Sequence, residues 1–232
     1  MTVRVAMWSG PRNISTAMMR SFGARADTVV VDEPLYAHYL AATGIEHPGR
    51  EEILASQPND WQEAVSALVA EVPAAVHYQK HMTHHLLPGI GRDWLGAVRN
   101  AFLIRDPAHV VASYAKVRGE PALADLGYEQ QVEIFRAYGG PVVDAADVLR
   151  DPAGTLSRLC AALGVPWDPA MLAWPAGRRD TDGVWAPYWY SAVESSTGFA
   201  AYDPRPAVVP ERLRWLVEAA APLYAELSAH SL

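Results

Sequence analysis

Five short apolar runs, each parted from the next by a stretch of helical periodicity, leave this chain few ways to fold. The runs occupy residues 3–8, 28–31, 74–78, 101–104 and, more weakly, 141–143, and they are rich in β-branched side chains. Apolar residues spaced three and four apart cover 16–25, 60–71, 109–116, 129–138, 153–163 and 210–227. Strands that alternate with helices build βαβ units, and the resulting sheet must be covered by helices on both faces. The expected class is therefore α/β, three layers (α/β/α) around a mostly parallel central sheet. A chain of 232 residues, half of them apolar, suits a single domain over 1–232.

Four polar clusters each begin where an apolar run ends: "SGPRNIST" at 9–16, "DEP" at 32–34, "QKHM" at 79–82 and "RDP" at 105–107. In an open α/β sheet, ligands bind at the carboxyl ends of the strands, so one shared site is the economical expectation. The first cluster leads straight into a helical pattern. It offers backbone N–H groups at a helix N-terminus, the hydroxyls of Ser15 and Thr16, and the fixed cation of Arg12, a set suited to a tetrahedral oxyanion. A plain N-cap by Ser15 or Thr16 explains the same hydroxyls. The stretch is not G-x-x-x-x-G-K-[ST]: the second glycine and the lysine are both missing, and no Mg²⁺-holding carboxylate is evident, which disfavours an ordinary nucleoside-triphosphate hydrolase.

The formal charge of −7 argues against a nucleic-acid surface, so an anion must be drawn to a local basic pocket. Only Lys80 and Lys116 are lysines among the nineteen basic residues. No run approaches the ~18 apolar residues of a membrane span, and the chain opens on a strand pattern instead of a leader. A lone Cys160 excludes an intramolecular disulfide and fits a reducing, cytoplasmic setting. Residues 177–206 lack a clear period but are dense in aromatics, including Trp185, Tyr188, Trp189 and Tyr190, the pattern of a functional lid or loop. Those rings either staple the segment to the core or form a wall of the site. The histidines of "HMTHH", His81, His84 and His85, have no carboxylate or cysteine nearby at a usual ligand spacing, and no metal is expected.

"PRNIST" resembles the P-[KR]-S-G-[ST]-T loop of the sulfotransferases, which bind the 5′-phosphosulfate of 3′-phosphoadenosine 5′-phosphosulfate (PAPS) on a P-loop-type fold. Pro11, Arg12, Ser15 and Thr16 match, while Asn13 and Ile14 replace the Ser-Gly pair. The β-branched Ile14 narrows the backbone conformations available where the sulfate approaches. "RDPAHVVASY" is similar to the family's 3′-phosphate element, with Arg105 eight residues before Ser113. "QKHMTHHLLP" resembles the K-x-H-x-x-x-x-L-L-P stretch of cytosolic members, placing His81 at the catalytic base and Gln79 where a lysine usually stands. "GRRDTDGVW" is a looser parallel to the C-terminal element that wraps the 3′-phosphate, with Arg178 and Arg179 as candidates. The chain as a whole resembles a bacterial sulfotransferase-like group.

The resemblance implies PAPS as co-substrate and a small hydroxylated acceptor, with no nucleic acid, membrane or metal, and leaves a homodimer open. It implies a binding set of Arg12, Asn13, Ile14, Ser15, Thr16, Arg105, Ser113, Arg178 and Arg179. The catalytic set is Arg12 and Lys80 on the leaving phosphate and His81 or Glu33 as base. Glu33 is the alternative because carbohydrate-type relatives use a glutamate and burial raises a carboxyl toward neutrality. Asp32 and Glu33 equally fit a capped turn before Pro34. The adenine is expected between aromatics, with Trp8 and Trp185 as candidates. Ideal strand alternation points Lys80 and His81 to opposite faces, so only one of the pair reaches the site. A P-loop kinase-like or NTPase-like enzyme and a non-catalytic nucleotide-binding protein on the same fold are the rival readings.

Overall fold

The computed structural model describes residues 2–118 and 121–232. Five strands, β1 (Val3–Ser9), β2 (Thr28–Asp32), β3 (Val76–Met82), β4 (Arg99–Ile104) and β5 (Val142–Asp144), form one parallel sheet in the order β2-β3-β1-β4-β5. All five apolar runs are strands. The helices are α1 (Ser15–Gly23), α2 (Tyr36–Thr43), α3 (Arg50–Ser56), α4 (Trp61–Val69), α5 (Pro107–Arg118), α6 (Leu123–Leu126), α7 (Tyr128–Tyr138), α8 (Ala145–Arg150), α9 (Pro152–Leu163), α10 (Ala186–Trp189), α11 (Ser191–Glu194) and α12 (Arg214–Ser228). No helix among the described residues is long and apolar enough to cross a membrane.

Strand alternation sorts the core into two layers. Val5, Met7, Tyr78 and Leu103 face one side and pack against α1, α2, α8 and α9. Ala6, Trp8, Phe102 and Ile104 face the other and pack against α4, α7 and α12. A third cluster joins α5 to α12. The result is the three-layer α/β/α arrangement expected from the sequence.

The chain lays β2 and β3 on one side of β1, then crosses to place β4 and β5 on the other. The loops leaving β1 and β4 therefore diverge from adjacent strands, which opens a crevice at their carboxyl ends. Two buried amides brace this point. Gln131 of α7 donates from Nε2 to the carbonyls of Trp8 (3.0 Å) and Leu103 (3.1 Å), and Asn13 donates to the same Leu103 carbonyl at 3.1 Å. Gly10 starts the loop because a Cβ there would lie 2.2 Å from the Leu126 carbonyl oxygen; α6 comes too close for any side chain.

Candidate active site

The loop after β1 curls back on itself before α1 begins. Arg12 has φ 61° and Ile14 has φ 54°, ψ 19°, both in the left-handed region that side chains beyond Cβ adopt only at a cost. Ile14 thus keeps the backbone shape a glycine would take, and its side chain packs on the core cluster beneath. Asn13 lies between them, 1% exposed, its amide pinned to β4. The side chains of Asn13 and Ile14 therefore hold the loop's shape, and what the loop presents outward is backbone N–H, Arg12, Ser15 and Thr16. No side chain caps the first turn of α1, so its leading N–H groups are left for a ligand.

The Arg105 guanidinium, delivered from the end of β4, donates to the Arg12 carbonyl at 2.6 Å, and Arg12 Nε donates to Ser113 Oγ at 3.0 Å. Asp106 serves α5 instead of Arg105, accepting from the Ala108 N–H at 2.8 Å. Neither guanidinium has a carboxylate partner among the described residues. Burial and then the nearby Arg12 cation lower the Arg105 pKa, with Tyr128, Asp144 and Asp106 acting the other way.

Across the same crevice sits a buried charged cluster. β2 and β3 pair with Asp32 directly beside Lys80, so parallel register puts both on one face. Lys80 Nζ donates to Asp32 Oδ1 at 2.8 Å, to Glu33 Oε1 at 2.5 Å and to the Tyr190 hydroxyl at 2.8 Å. Glu33 is the third non-glycine residue with a positive φ, 40°, which turns its side chain back over the strand end. Burial raises the Glu33 carboxyl above its ordinary value; Lys80 pulls the other way and Asp32 adds to the rise. Burial also works to discharge Lys80, but the two carboxylates outweigh it and hold the ammonium above the usual lysine value.

Both halves line one cavity of about 1350 Å³, which takes in Arg12 to Ala17, Glu33, Lys80, Arg105, Ser113 and Tyr190. Its wall beside Glu33 is aromatic and imidazole-rich: His85 lies between Tyr36 and Tyr39 with ring centroids 4.6 and 4.7 Å away, and His47 Nδ1 meets the Tyr36 hydroxyl at 2.7 Å. Burial, with His84 next, holds His85 well below the ordinary histidine range, so the wall is uncharged there. No group of three or more His, Cys, Asp or Glu suited to a metal occurs among the described residues.

The sulfotransferase-domain family model matches residues 3–231. This chain is a member of the sulfotransferase-domain family. The branched-chain-amino-acid aminotransferase-like protein 1 of Arabidopsis thaliana is 38% identical over 229 residues, covering 96% of this chain but 41% of that protein's length. Among solved structures, a sulfotransferase from Alicyclobacillus acidocaldarius superposes with a TM-score of 0.57 at 14% identity, covering 99% of this chain and 95% of that one. The sulfotransferase domain from the curacin biosynthetic pathway gives 0.54 at 12% identity, covering 95% and 98%. At such identities these structures speak for the fold alone.

Within this sulfotransferase-domain chain, the cavity gathers most of the residues singled out from sequence but not all. His81 is not among them. It falls on the odd face of β3 beside Trp8, stacks on that indole at 4.3 Å, and meets Gln79 Oε1 at 3.2 Å. It is 1% exposed, and burial drives its pKa down to about 3, so it stays neutral and out of reach. Strand alternation turns Lys80 to the cavity side and His81 away from it. The three Lys80 protons go to Asp32, Glu33 and Tyr190, however, so its ammonium is not free for the leaving phosphate as expected. Arg178 and Arg179 do not line the cavity either: Arg178 Nε pairs with Glu194 at 2.9 Å, and the Arg179 guanidinium binds the carbonyls of Arg178 and Pro175. Trp8 and Trp185 are both buried in the core and are not cavity walls, so neither is placed to sandwich adenine.

Four residues here were at most partly legible. Tyr190 was flagged with its aromatic neighbours, yet its hydroxyl is the part that matters. Asp32 read equally well as a turn cap. His47 and Tyr36 carried no pattern at all. The one available signal for Asp32 was that an acidic pair ending β2 must lie beside the QKHM strand end.

Proposed function

We propose that this chain transfers a sulfuryl group from PAPS to a hydroxyl of a small acceptor. The observation that carries the reading is the convergence of two guanidiniums without carboxylate partners among the described residues, Arg12 and Arg105, and the uncapped start of α1 on the cavity that Glu33 also lines. The donor contributes an activated sulfuryl group. Its two anionic ends suit the two halves of the basic crevice: the loop N–H groups, Arg12 and Thr16 for the 5′ end, Arg105 and Ser113 for the 3′ end.

Transfer of this kind is in-line and loose, with charge moving onto the leaving phosphate, so fixed donors and cations there lower the barrier. Arg12 and the α1 N–H groups are the chain's means of meeting that charge. Glu33 takes the acceptor's proton. Lys80 occupies only its Oε1, leaving Oε2 for the cavity, and a carboxyl raised by burial binds a proton more strongly than an exposed one. The aromatic and imidazole wall of Tyr36, His47 and His85, with His85 held uncharged by burial, suits an uncharged hydroxylated acceptor.

Calorimetric titration with 3′-phosphoadenosine 5′-phosphate, ADP and ATP–Mg²⁺ tests the donor half. The 3′-phosphorylated nucleotide is expected to bind best, and Arg105→Ala to weaken it by about 10- to 100-fold, the worth of one charge-assisted contact. ADP binding should barely change. A preference for ATP–Mg²⁺ would replace this reading with a kinase-like one.

A further inference from the structure

The segment from Trp174 to Ser196 reaches the charged cluster at two points, the Gly183 N–H, which donates to Asp32 Oδ2 at 3.1 Å, and the Tyr190 hydroxyl, its one side-chain contact there. That hydroxyl lies 2.9 and 2.7 Å from Asp32 Oδ1 and Oδ2, 2.8 Å from Lys80 Nζ, 3.0 Å from Trp185 Nε1 and 3.4 Å from Glu33 Oε1. A phenol has one proton to give and two lone pairs to fill. Asp32 can only accept, and Lys80 and Trp185 can only donate, so the directions are fixed. Tyr190 donates to Asp32 and accepts from Lys80 and Trp185, which uses its whole capacity.

Lys80 is saturated in the same way. An ammonium has three protons, and they go to Asp32, Glu33 and Tyr190. With every proton assigned, the ammonium has one orientation, and Glu33 receives one bond to one oxygen. All four side chains are nearly water-free: Lys80 is 1%, Asp32 and Tyr190 4% and Glu33 8% exposed. In such surroundings a partner removed is not replaced by water.

We infer that Tyr190 is a positioning residue: through Lys80 and Asp32 it fixes how much of the Lys80 charge Glu33 receives and which Glu33 oxygen is left for an acceptor hydroxyl. The inference rests on the reading of Glu33 as the base. Without the hydroxyl, Asp32 loses a donor and one Lys80 proton is orphaned. Lys80 is then drawn toward the needier Asp32, and Glu33 loses part of the cation that favours its ionised form. The other titratable and charged groups on the wall of the cavity that Glu33 lines include Arg12 from the β1 loop, Tyr36 on α2, and His47, His84 and His85, and Tyr190→Phe alters none of them.

The test is a pH titration of the Glu33 carboxyl by infrared difference spectroscopy, its band assigned with Glu33→Gln. Tyr190→Phe is expected to raise the midpoint by about one pH unit, a roughly tenfold loss of ionised Glu33 on the acid side. The acid limb of kcat/KM should move with it, while affinity for 3′-phosphoadenosine 5′-phosphate stays within about twofold. Trp174→Phe, which removes the Trp174–Ser196 bond (3.1 Å) without touching a hydrogen bond of the cluster, controls for general loosening of the segment and should leave the midpoint unmoved. An unmoved midpoint in Tyr190→Phe, or an equal shift in Trp174→Phe, overturns the inference. The spectroscopic readout needs no turnover. Failure to bind the nucleotide would therefore count against the sulfotransferase reading while the titration still decides the role of Tyr190.

Discussion

Glu33→Gln is expected to lower kcat by about 10²- to 10⁴-fold, the usual worth of a positioned general base, while nucleotide affinity stays within about twofold of the parent. Glutamine fills the same volume and still accepts the Lys80 hydrogen bond, so the cluster loses its proton acceptor with little change of shape. Measuring steady-state sulfuryl transfer beside calorimetric nucleotide binding separates the two effects. Equal loss of both would place Glu33 in nucleotide binding and remove it from proton transfer. His81→Ala provides the contrast. His81 is buried against Trp8 on the far face of the sheet, so its loss should register as reduced stability, with kcat of the folded fraction preserved.

Lys80→Met is expected to cost about 3–5 kcal/mol of folding stability, because it strands two buried carboxylates without their cation. Chemical denaturation at a series of pH values checks both size and cause. The Lys80 pKa is raised in the folded chain, so its stabilising contribution is in full force below the ordinary lysine value and fades only as pH rises through the higher folded value. In the variant, Glu33 is left with Asp32 and without its cation, so its carboxyl binds a proton more strongly. The deficit should therefore shrink as pH falls and carboxyl protonation relieves the repulsion. A deficit independent of pH would mean that lost packing, not stranded charge, is responsible.

Much of the fold was open to reading because its strands carry their own signal. Each of the five apolar runs became a strand, and the polar clusters at their ends fell around one crevice, as parallel topology requires. α2 and α3 were harder. Tyr36, Ala37, Tyr39 and Leu40 are all buried, so α2 shows no polar face to give a period, and α3 spans only seven residues. At the site, alternation announced that Lys80 and His81 must part company, but parity alone does not say which face of a sheet holds the cavity. That depends on which helices cover each side. Arg178 shows a different limit: a basic pair in a loop looks the same whether it meets a phosphate or Glu194, and only the tertiary course of residues 177–206 decides. Ile14 illustrates a third, since its side chain argued against a left-handed backbone that the surrounding contacts nevertheless impose.

The attachment of that same aromatic segment bears on how molecules enter and leave. Asp182 is joined to Arg20 of α1 by two bonds of 2.5 and 2.7 Å, with both side chains 3% exposed, and the Gly183 N–H holds Asp32 at 3.1 Å. Detaching it would break the buried two-bond ion pair and the Gly183–Asp32 bond together. Residues 200–208 are different: they run along the cavity rim without helix or strand, Val208 is 87% exposed, and Tyr202 rests on Arg150 at 4.1 Å. The cavity wall at residues 189–196 thus belongs to a segment tied down by buried bonds, whereas the neighbouring rim at 200–208 has no helix or strand to hold it.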